Sequence, residues 1–285
     1  MQFSFLAALL AGAAVFLSCS NNNGGNEPIS ENKKDSLANE APAAAAIREQ
    51  AVTYTSGSNT FNGYIAYDSA ATGKRPLVLI VHEWWGLTDY PRMRARQLAQ
   101  MGYMAMAVDM YGGGKVAANP EEAQTAATGL YQNPQEAKRR LDAALAKALT
   151  LPQVDSTKTA AIGYCFGGSM VLNAAKLGSG FDGVVSFHGG LEGVPPQKDL
   201  LKSKVLVCHG GADNFVPEAQ VAAFKKSMDS VGADYTFKVY PGATHAFTNP
   251  DADKKAAEFN MPIKYNGAAD TASWNDMKAF FARIF

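Results

Sequence analysis

Cys165, Asp213 and His245 have the side-chain types, and follow the chain order, that nucleophilic acyl transfer requires. A thiol attacks a carbonyl carbon only as thiolate, so it needs a base, and the base needs a partner that fixes its tautomer. Cys165 lies in Gly163-Tyr164-Cys165-Phe166-Gly167-Gly168, after the apolar run Thr159 to Ile162 and before the helix-like run Met170 to Leu177. This is the strand-turn-helix setting of a nucleophile elbow, with sulfur where serine is usual, and the glycines leave room for close backbone approach. Asp213 sits in Gly210-Gly211-Ala212-Asp213-Asn214-Phe215-Val216-Pro217, a loop between a strand-like run and a proline-opened helix. His245 sits in Pro241-Gly242-Ala243-Thr244-His245-Ala246-Phe247, a loop after the last strand-like run. Alone, that aspartate reads as a helix cap or turn residue and that histidine as a solvated loop residue. Together with Cys165, in the order nucleophile, acid, histidine used by α/β-hydrolases, they read as a triad. His82, His188 and His209 are assigned structural or pocket-lining places.

These residues need a frame that brings them together. Val52 to Thr55 and Phe61 to Tyr67 predict an antiparallel hairpin across Ser56-Gly57-Ser58-Asn59. Strand-like runs follow at Leu77 to His82, Met104 to Asp109, Thr159 to Tyr164, Gly183 to His188, Lys204 to His209 and Tyr235 to Tyr240. Helical patterns alternate with them near Tyr90 to Met101, Glu121 to Leu130, Pro134 to Ala148, Met170 to Leu177, Pro217 to Val231 and Trp274 to Ile284. Apolar strands separated by helices predict an α/β fold: a doubly wound, mostly parallel sheet with an antiparallel N-terminal hairpin and helices on both faces. Ligands of such sheets bind at the carboxyl ends of the strands, where Glu83, Asp109, Cys165, Asp213 and His245 all fall.

From about Val52 to Phe285 the chain resembles the dienelactone hydrolase family of α/β-hydrolases. The resemblance rests on His82-Glu83-Trp84-Trp85-Gly86-Leu87, Asp109-Met110-Tyr111, the cysteine elbow, the Asp213 and His245 loops, and Ala268-Ala269-Asp270-Thr271-Ala272-Ser273-Trp274. It implies that Cys165 is the nucleophile, His245 the base and acid, and Asp213 the group that orients His245. It also implies an oxyanion hole from the backbone N–H groups of Trp84 and Phe166. Glu83 matches a family glutamate that pairs with the resting cysteine and is displaced by substrate. Trp85, Tyr111 and Phe247 are expected in the substrate pocket. Family members acting on dienelactone grip its carboxylate with arginines shortly after the D-x-Y and H-x-F stretches. Here those places read Tyr111-Gly112-Gly113-Gly114-Lys115 and Phe247-Thr248-Asn249, so dienelactone itself is not the expected substrate, and Lys115 is the one nearby cation. The glycine run is expected to serve backbone flexibility or close packing.

The 285 residues carry 26 basic and 26 acidic side chains, a balance that argues against nucleic acid as partner. Residues 1–18 read as a signal peptide, because Phe3 to Leu17 is an apolar run too short to span a bilayer. Its end, Phe16-Leu17-Ser18-Cys19, resembles a lipobox, which makes Cys19 the expected lipid attachment and the anchor the only membrane contact. Residues 19–49, rich in Asn, Gly, Ser, Ala and charge, read as a flexible tether, and residues 50–285 as the hydrolase domain. An exported, anchored, monomeric protein is expected. Cys208, in Val205-Leu206-Val207-Cys208, reads as a small buried apolar residue. Neither metal-ligand spacing nor a P-loop is present, so no cofactor is expected. The expected function is hydrolysis of a small ester, lactone or thioester through an acyl-cysteine. The alternatives are a silent binding protein on the same fold, or a hydrolase of peptide or acyl-carbohydrate bonds.

Overall fold

Strands buried on both faces must be apolar throughout, and β3 (Arg75–Val81) and β4 (Met104–Val108) meet that condition with Leu, Val, Ile, Met and Ala. The computed structural model describes residues 45–285. Its eight-stranded sheet runs in the order β1-β2-β4-β3-β5-β6-β7-β8. Here β1 is Ile47–Ser56, β2 Asn59–Asp68, β5 Val154–Tyr164, β6 Gly183–Phe187, β7 Lys204–Gly210 and β8 Tyr235–Tyr240. The β1–β2 hairpin is antiparallel and β2 joins β4 antiparallel, whereas all pairings from β4 through β8 are parallel. The expected topology is therefore present.

Successive side chains of a strand face opposite ways, and β3 divides its apolar residues accordingly. Leu77, Leu79 and Val81 enter the core that also holds Leu141 and Ala144 of α3 (Pro134–Leu149) and Met170 and Val171 of α4 (Phe166–Lys176). Val78 and Ile80 enter the other core, with Ala95 and Leu98 of α1 (Asp89–Gln100) and Met277 and Phe281 of α7 (Gly267–Ile284). Buried Ala137, Leu141, Ala144 and Ala148 recur at helical spacing on α3, which explains why that helix was legible from its pattern. Asn119 and Asn133 cap α2 (Pro120–Gln132) and α3, their side chains accepting from Glu122 N at 2.9 Å and Glu136 N at 3.1 Å. The remaining helices are α5 (Glu218–Ser230) and α6 (Ala252–Phe259). Among the described residues no helix is long and apolar enough to cross a membrane.

Several boundaries differ from expectation. β1 begins at Ile47, ahead of the domain start placed at 50, because its outer residues pair with Asp68, Tyr67 and Ala66 although they face solvent. β5 begins at Val154, where Arg75 and Pro76 of β3 supply backbone partners to residues with no apolar pattern. α7 begins at Gly267, about two turns ahead of the apolar signal, because Asn266 caps it through Ala269 N at 3.1 Å. α6 was not expected, since it is only eight residues long and its apolar face is limited to Ala252, Ala256 and Phe259, of which only Ala252 is fully buried. The proposed signal peptide, Cys19 and all of the tether up to residue 44 lie outside the described residues.

Candidate active site

β3 is flanked by β4 on one side and β5 on the other, so the chain winds away from it in both directions. The loops leaving the carboxyl ends of β3 and β5 separate there and open a crevice, the usual ligand position in such sheets. Glu83 and Trp84 leave β3, and Cys165 leaves β5 directly into α4.

Cys165 adopts φ 52° and ψ −116°, a conformation that non-glycine residues avoid. Two acceptors meet its N–H, the Phe187 carbonyl at 3.0 Å and His188 Nδ1 at 3.1 Å. Phe166 is the first residue of α4, where an N–H has no carbonyl partner within the helix and is free to donate to a ligand. The glycines let α4 begin this close to the sheet. A Cβ on Gly163 would meet the Gly167 carbonyl, one on Gly167 would meet the Val81 carbonyl, and one on Gly168 would stand 2.6 Å from Ser186 Oγ.

His245 Nδ1 lies 2.9 Å from Asp213 Oδ2, and the Asp213 side chain is fully buried. The other carboxylate oxygen of Asp213 accepts from Phe215 N at 3.0 Å, so the loop holds its own acid. This pairing assigns the proton to Nδ1 and leaves Nε2 as the free nitrogen. Burial disfavours the charged imidazole, but Cys165 and Asp213 together overcome it and raise the His245 pKa well above its ordinary value. The site thus favours the charged imidazole of His245.

The other expected residues divide into two groups. Glu83, Trp84 and Trp85 line the same cavity as Cys165 and His245. The carbonyl of Glu83 is 2.5 Å from His82 Nδ1, and His82 Nε2 accepts from Met110 N at 3.2 Å. Since C=O and N–H of a trans peptide point oppositely, His82 also sets the direction of the Trp84 N–H. Burial brings His82 down to about 4, which keeps it neutral and able to serve in both roles. Tyr111 and Phe247, expected in the pocket, do not line it. Tyr111 Oη is used to satisfy the Trp84 carbonyl at 2.8 Å, and its ring packs on His82 and Phe166. Phe247 is wholly buried between His188 and Tyr240. Both support the site from behind.

Glu83 does not hydrogen-bond to Cys165 in this structure. Its Oε2 accepts from Asn249 Nδ2 at 2.6 Å, and burial, eased by Asn249, His245, Lys255 and Arg94, raises its pKa to about 7. The resting partner expected for the thiol is thus engaged elsewhere. Lys115 is exposed and does not line the cavity, where the lysine is instead Lys255, 3.9 Å above the Trp85 ring.

The cavity has a volume of about 570 Å³, large enough for a small organic substrate. Tyr131 of α2, Phe215 of the Asp213 loop, and Met261 and Ile263 beyond α6 complete its apolar wall. Sequence reasoning missed all four, because they come from segments whose approach depends on tertiary packing. Phe215 alone carried a signal, as a large apolar residue two positions from the expected acid in a polar loop. The glycine run is explained by Asp109, whose carboxylate accepts from the backbone N–H groups of Asn62, Tyr111, Gly112 and Gly114 at 2.8–3.0 Å. Gly112, Gly113 and Gly114 all have positive φ, which is what wraps the backbone around that carboxylate.

Residues 61–285 match the model of the dienelactone hydrolase family. The chain belongs to that family. It is accordingly a carboxylic ester hydrolase of the α/β-hydrolase type. Among dienelactone hydrolase-like structures it is similar to m3DLH, at 33% identity with a TM-score of 0.79, covering 84% of this chain and 99% of that one. It is similar to the dienelactone hydrolase-like promiscuous phosphotriesterase P91 from metagenomic libraries, at 32% identity with a TM-score of 0.78 over 84% and 99% of the two chains. Protein usf of Aquifex pyrophilus is 30% identical over 72% of this chain and 87% of its own length.

Proposed function

We propose that this dienelactone hydrolase family member cleaves small uncharged esters, lactones or thioesters through an acyl-cysteine on Cys165. The observation that carries the reading is the His245–Asp213 pair at 2.9 Å, opening on the same cavity as a nucleophile held at φ 52°. The Cys165 thiolate adds to the acyl carbon while the N–H groups of Trp84 and Phe166 receive the carbonyl oxygen. The C–O bond, or C–S bond in a thioester, then breaks, and the leaving group takes the proton from His245 Nε2. A water molecule gives one proton back to Nε2 as its oxygen attacks the thioester, and cleavage of that C–S bond frees the acid and restores the Cys165 thiolate beside the protonated His245. Glu83 is proposed to gate this cycle by exchanging Asn249 for the thiol, which the shared cavity wall permits.

The proposed substrate is uncharged because, among the described residues, no arginine lines the cavity and its one lysine is already seated over Trp85. Export and lipidation at Cys19 belong to the same proposal, supported by the apolar run Phe3 to Leu17 and the sequence Leu17-Ser18-Cys19; the mass of the native N-terminal peptide checks it. A p-nitrophenyl ester series with wild type and Cys165→Ala tests the chemistry. The expected result is loss of at least about 10³-fold in kcat for Cys165→Ala. Equal rates on every ester would remove Cys165 from the mechanism. Phosphotriesters join the panel, because the P91 neighbour is named for that activity.

A further inference from the structure

Beside the cysteine, outside the cavity lining, lies a buried polar chain whose His188 ring also packs 5.3 Å from that of His245. His188, 1% exposed and at φ 40°, places Nδ1 3.1 Å from the Cys165 amide nitrogen and Nε2 2.7 Å from Thr248 Oγ1. Thr248 Oγ1 is 2.6 Å from Tyr90 Oη, and the Thr248 carbonyl accepts from Arg94 Nη2 at 2.7 Å. The same Arg94 nitrogen meets Asp270 Oδ1 at 2.5 Å, and the guanidinium lies over the rings of Tyr90, Tyr164 and Trp274. His188, Thr248 and Arg94 are each 3% exposed or less. Five residues from α1, α7 and two loops thus converge on one backbone N–H.

We infer that His188 is a positioning residue for the nucleophile, its Nδ1 lone pair holding the Cys165 amide while Thr248, Tyr90, Arg94 and Asp270 fix the tautomer that presents it. This rests on the reading of Cys165 as nucleophile. The hydrogen bonds dictate the tautomer. Because the Cys165 amide can only donate, Nδ1 must carry the lone pair, and a neutral ring then has its proton on Nε2, where Thr248 Oγ1 accepts it. A protonated ring would set an N–H against the Cys165 N–H and release the elbow. Burial and the nearby His245 and Arg94 charges hold His188 well below its ordinary pKa, in agreement with the geometry. A residue at φ 52° and ψ −116° stores backbone strain and keeps that shape only if its surroundings over-determine it. His188 supplies the contact that the Phe187 carbonyl alone does not, and Arg94–Asp270 ties the elbow to α7.

The test uses the full chain and four measurements: kcat and KM on a p-nitrophenyl ester, iodoacetamide alkylation at Cys165 by intact mass, denaturation, and nitrogen NMR of the four histidine rings. His188→Leu removes the acceptor, His188→Gln moves it toward the Nε2 position, and His188→Asn keeps an oxygen near the Nδ1 position. His188→Leu and His188→Gln are expected to lose about 100-fold in kcat and to slow alkylation, with KM within about threefold, since a small misplacement of a reacting group costs on that order. His188→Asn is expected to recover at least tenfold of that loss. In the wild type, the His188 ring is expected to show a bare Nδ1 and a protonated Nε2. Equal activity of the Asn and Gln variants, or a His188→Leu enzyme within threefold of wild type, overturns the inference. If none of the variants folds, a protonated Nδ1 in the wild-type spectrum overturns it and a bare Nδ1 supports it. Cys165→Ala in the same assay separates the two claims: an active Cys165→Ala removes the nucleophile itself, whereas an inactive one with indifferent His188 variants removes only the positioning role.

Discussion

Glu83 is a carboxyl group set into a cavity wall with one neutral side-chain donor, Asn249, on it. Its pKa rises from 4.5 to about 7, chiefly through burial. Between those values the folded protein holds a proton that the unfolded chain has released, so stability falls as pH rises from 4.5 to 7 and the penalty is complete above 7. Glu83→Gln removes the titration and keeps an oxygen for Asn249. Urea denaturation at pH 8 is therefore expected to show the variant stabilised by up to about 3 kcal/mol, and at pH 4 by close to nothing. A difference between variant and wild type that is the same at both pH values would show that folding leaves the Glu83 pKa unshifted. His245 has the opposite design, since there Cys165 and Asp213 outweigh burial and favour the charged ring. The two groups lie in one cavity, and burial prevails at Glu83 whereas neighbours prevail at His245.

At the scale of elements, the site depends on how closely α4 starts against β3 and β5. Gly167 faces the Val81 and His82 carbonyls, and Gly163 faces Gly167, with no room for a methyl group at either place. Neither clash can be relieved by a rotamer change, because the obstructing atoms are backbone. Gly167→Ala is expected to destabilise the fold by about 3 kcal/mol, near the top of the overpacking range, and to reduce ester hydrolysis in the fraction that folds. Thermal melting and a single-ester assay check both effects, and an unchanged melting temperature would mean that α4 can shift away from the sheet at little cost. The loop after β4 shows a related device: Asp109 draws three backbone N–H groups of that loop and one of β2 onto its carboxylate, and Tyr111 from the loop carries the Trp84 carbonyl. The D-x-Y segment thus braces the proposed oxyanion hole without touching substrate.

At the scale of the whole molecule, the cavity is assembled from parts distant in sequence. Tyr131 comes from α2, Phe215 from the loop after β7, and Met261 and Ile263 from the segment after α6, which a bridge between His245 and Ile263 fastens to the histidine loop. Phe215 is half exposed and packs its ring 5.0 Å from His245, so it both walls the cavity and shields the base. Phe215→Ala is expected to raise KM for aryl esters by about tenfold, the worth of roughly one apolar contact, while acetate esters change little. Steady-state kinetics on the two ester types decide this, and equal changes for both would assign Phe215 to His245 rather than to substrate.

The sequence by itself determined the parallel sheet and the order of its elements, and it singled out the three residues of the proposed triad, because each leaves a local mark. Buried strands of a parallel sheet are continuous apolar runs, helices repeat at 3.6 residues, and an elbow needs glycines around its nucleophile. What it could not fix was which aromatic groups face the cavity and which support it. Tyr111 and Phe247 have the composition of pocket residues, yet a carbonyl needing a donor takes one and the space behind His188 takes the other. Glu83 was legible as a site residue, but its partner Asn249 was decided by packing across 166 positions of chain. The same holds for His188, which in sequence is one strand-end histidine among several and in the fold lies against the amide of Cys165. A residue's chemistry is carried by its type; its task is set by the one neighbour that long-range packing brings within hydrogen-bond reach.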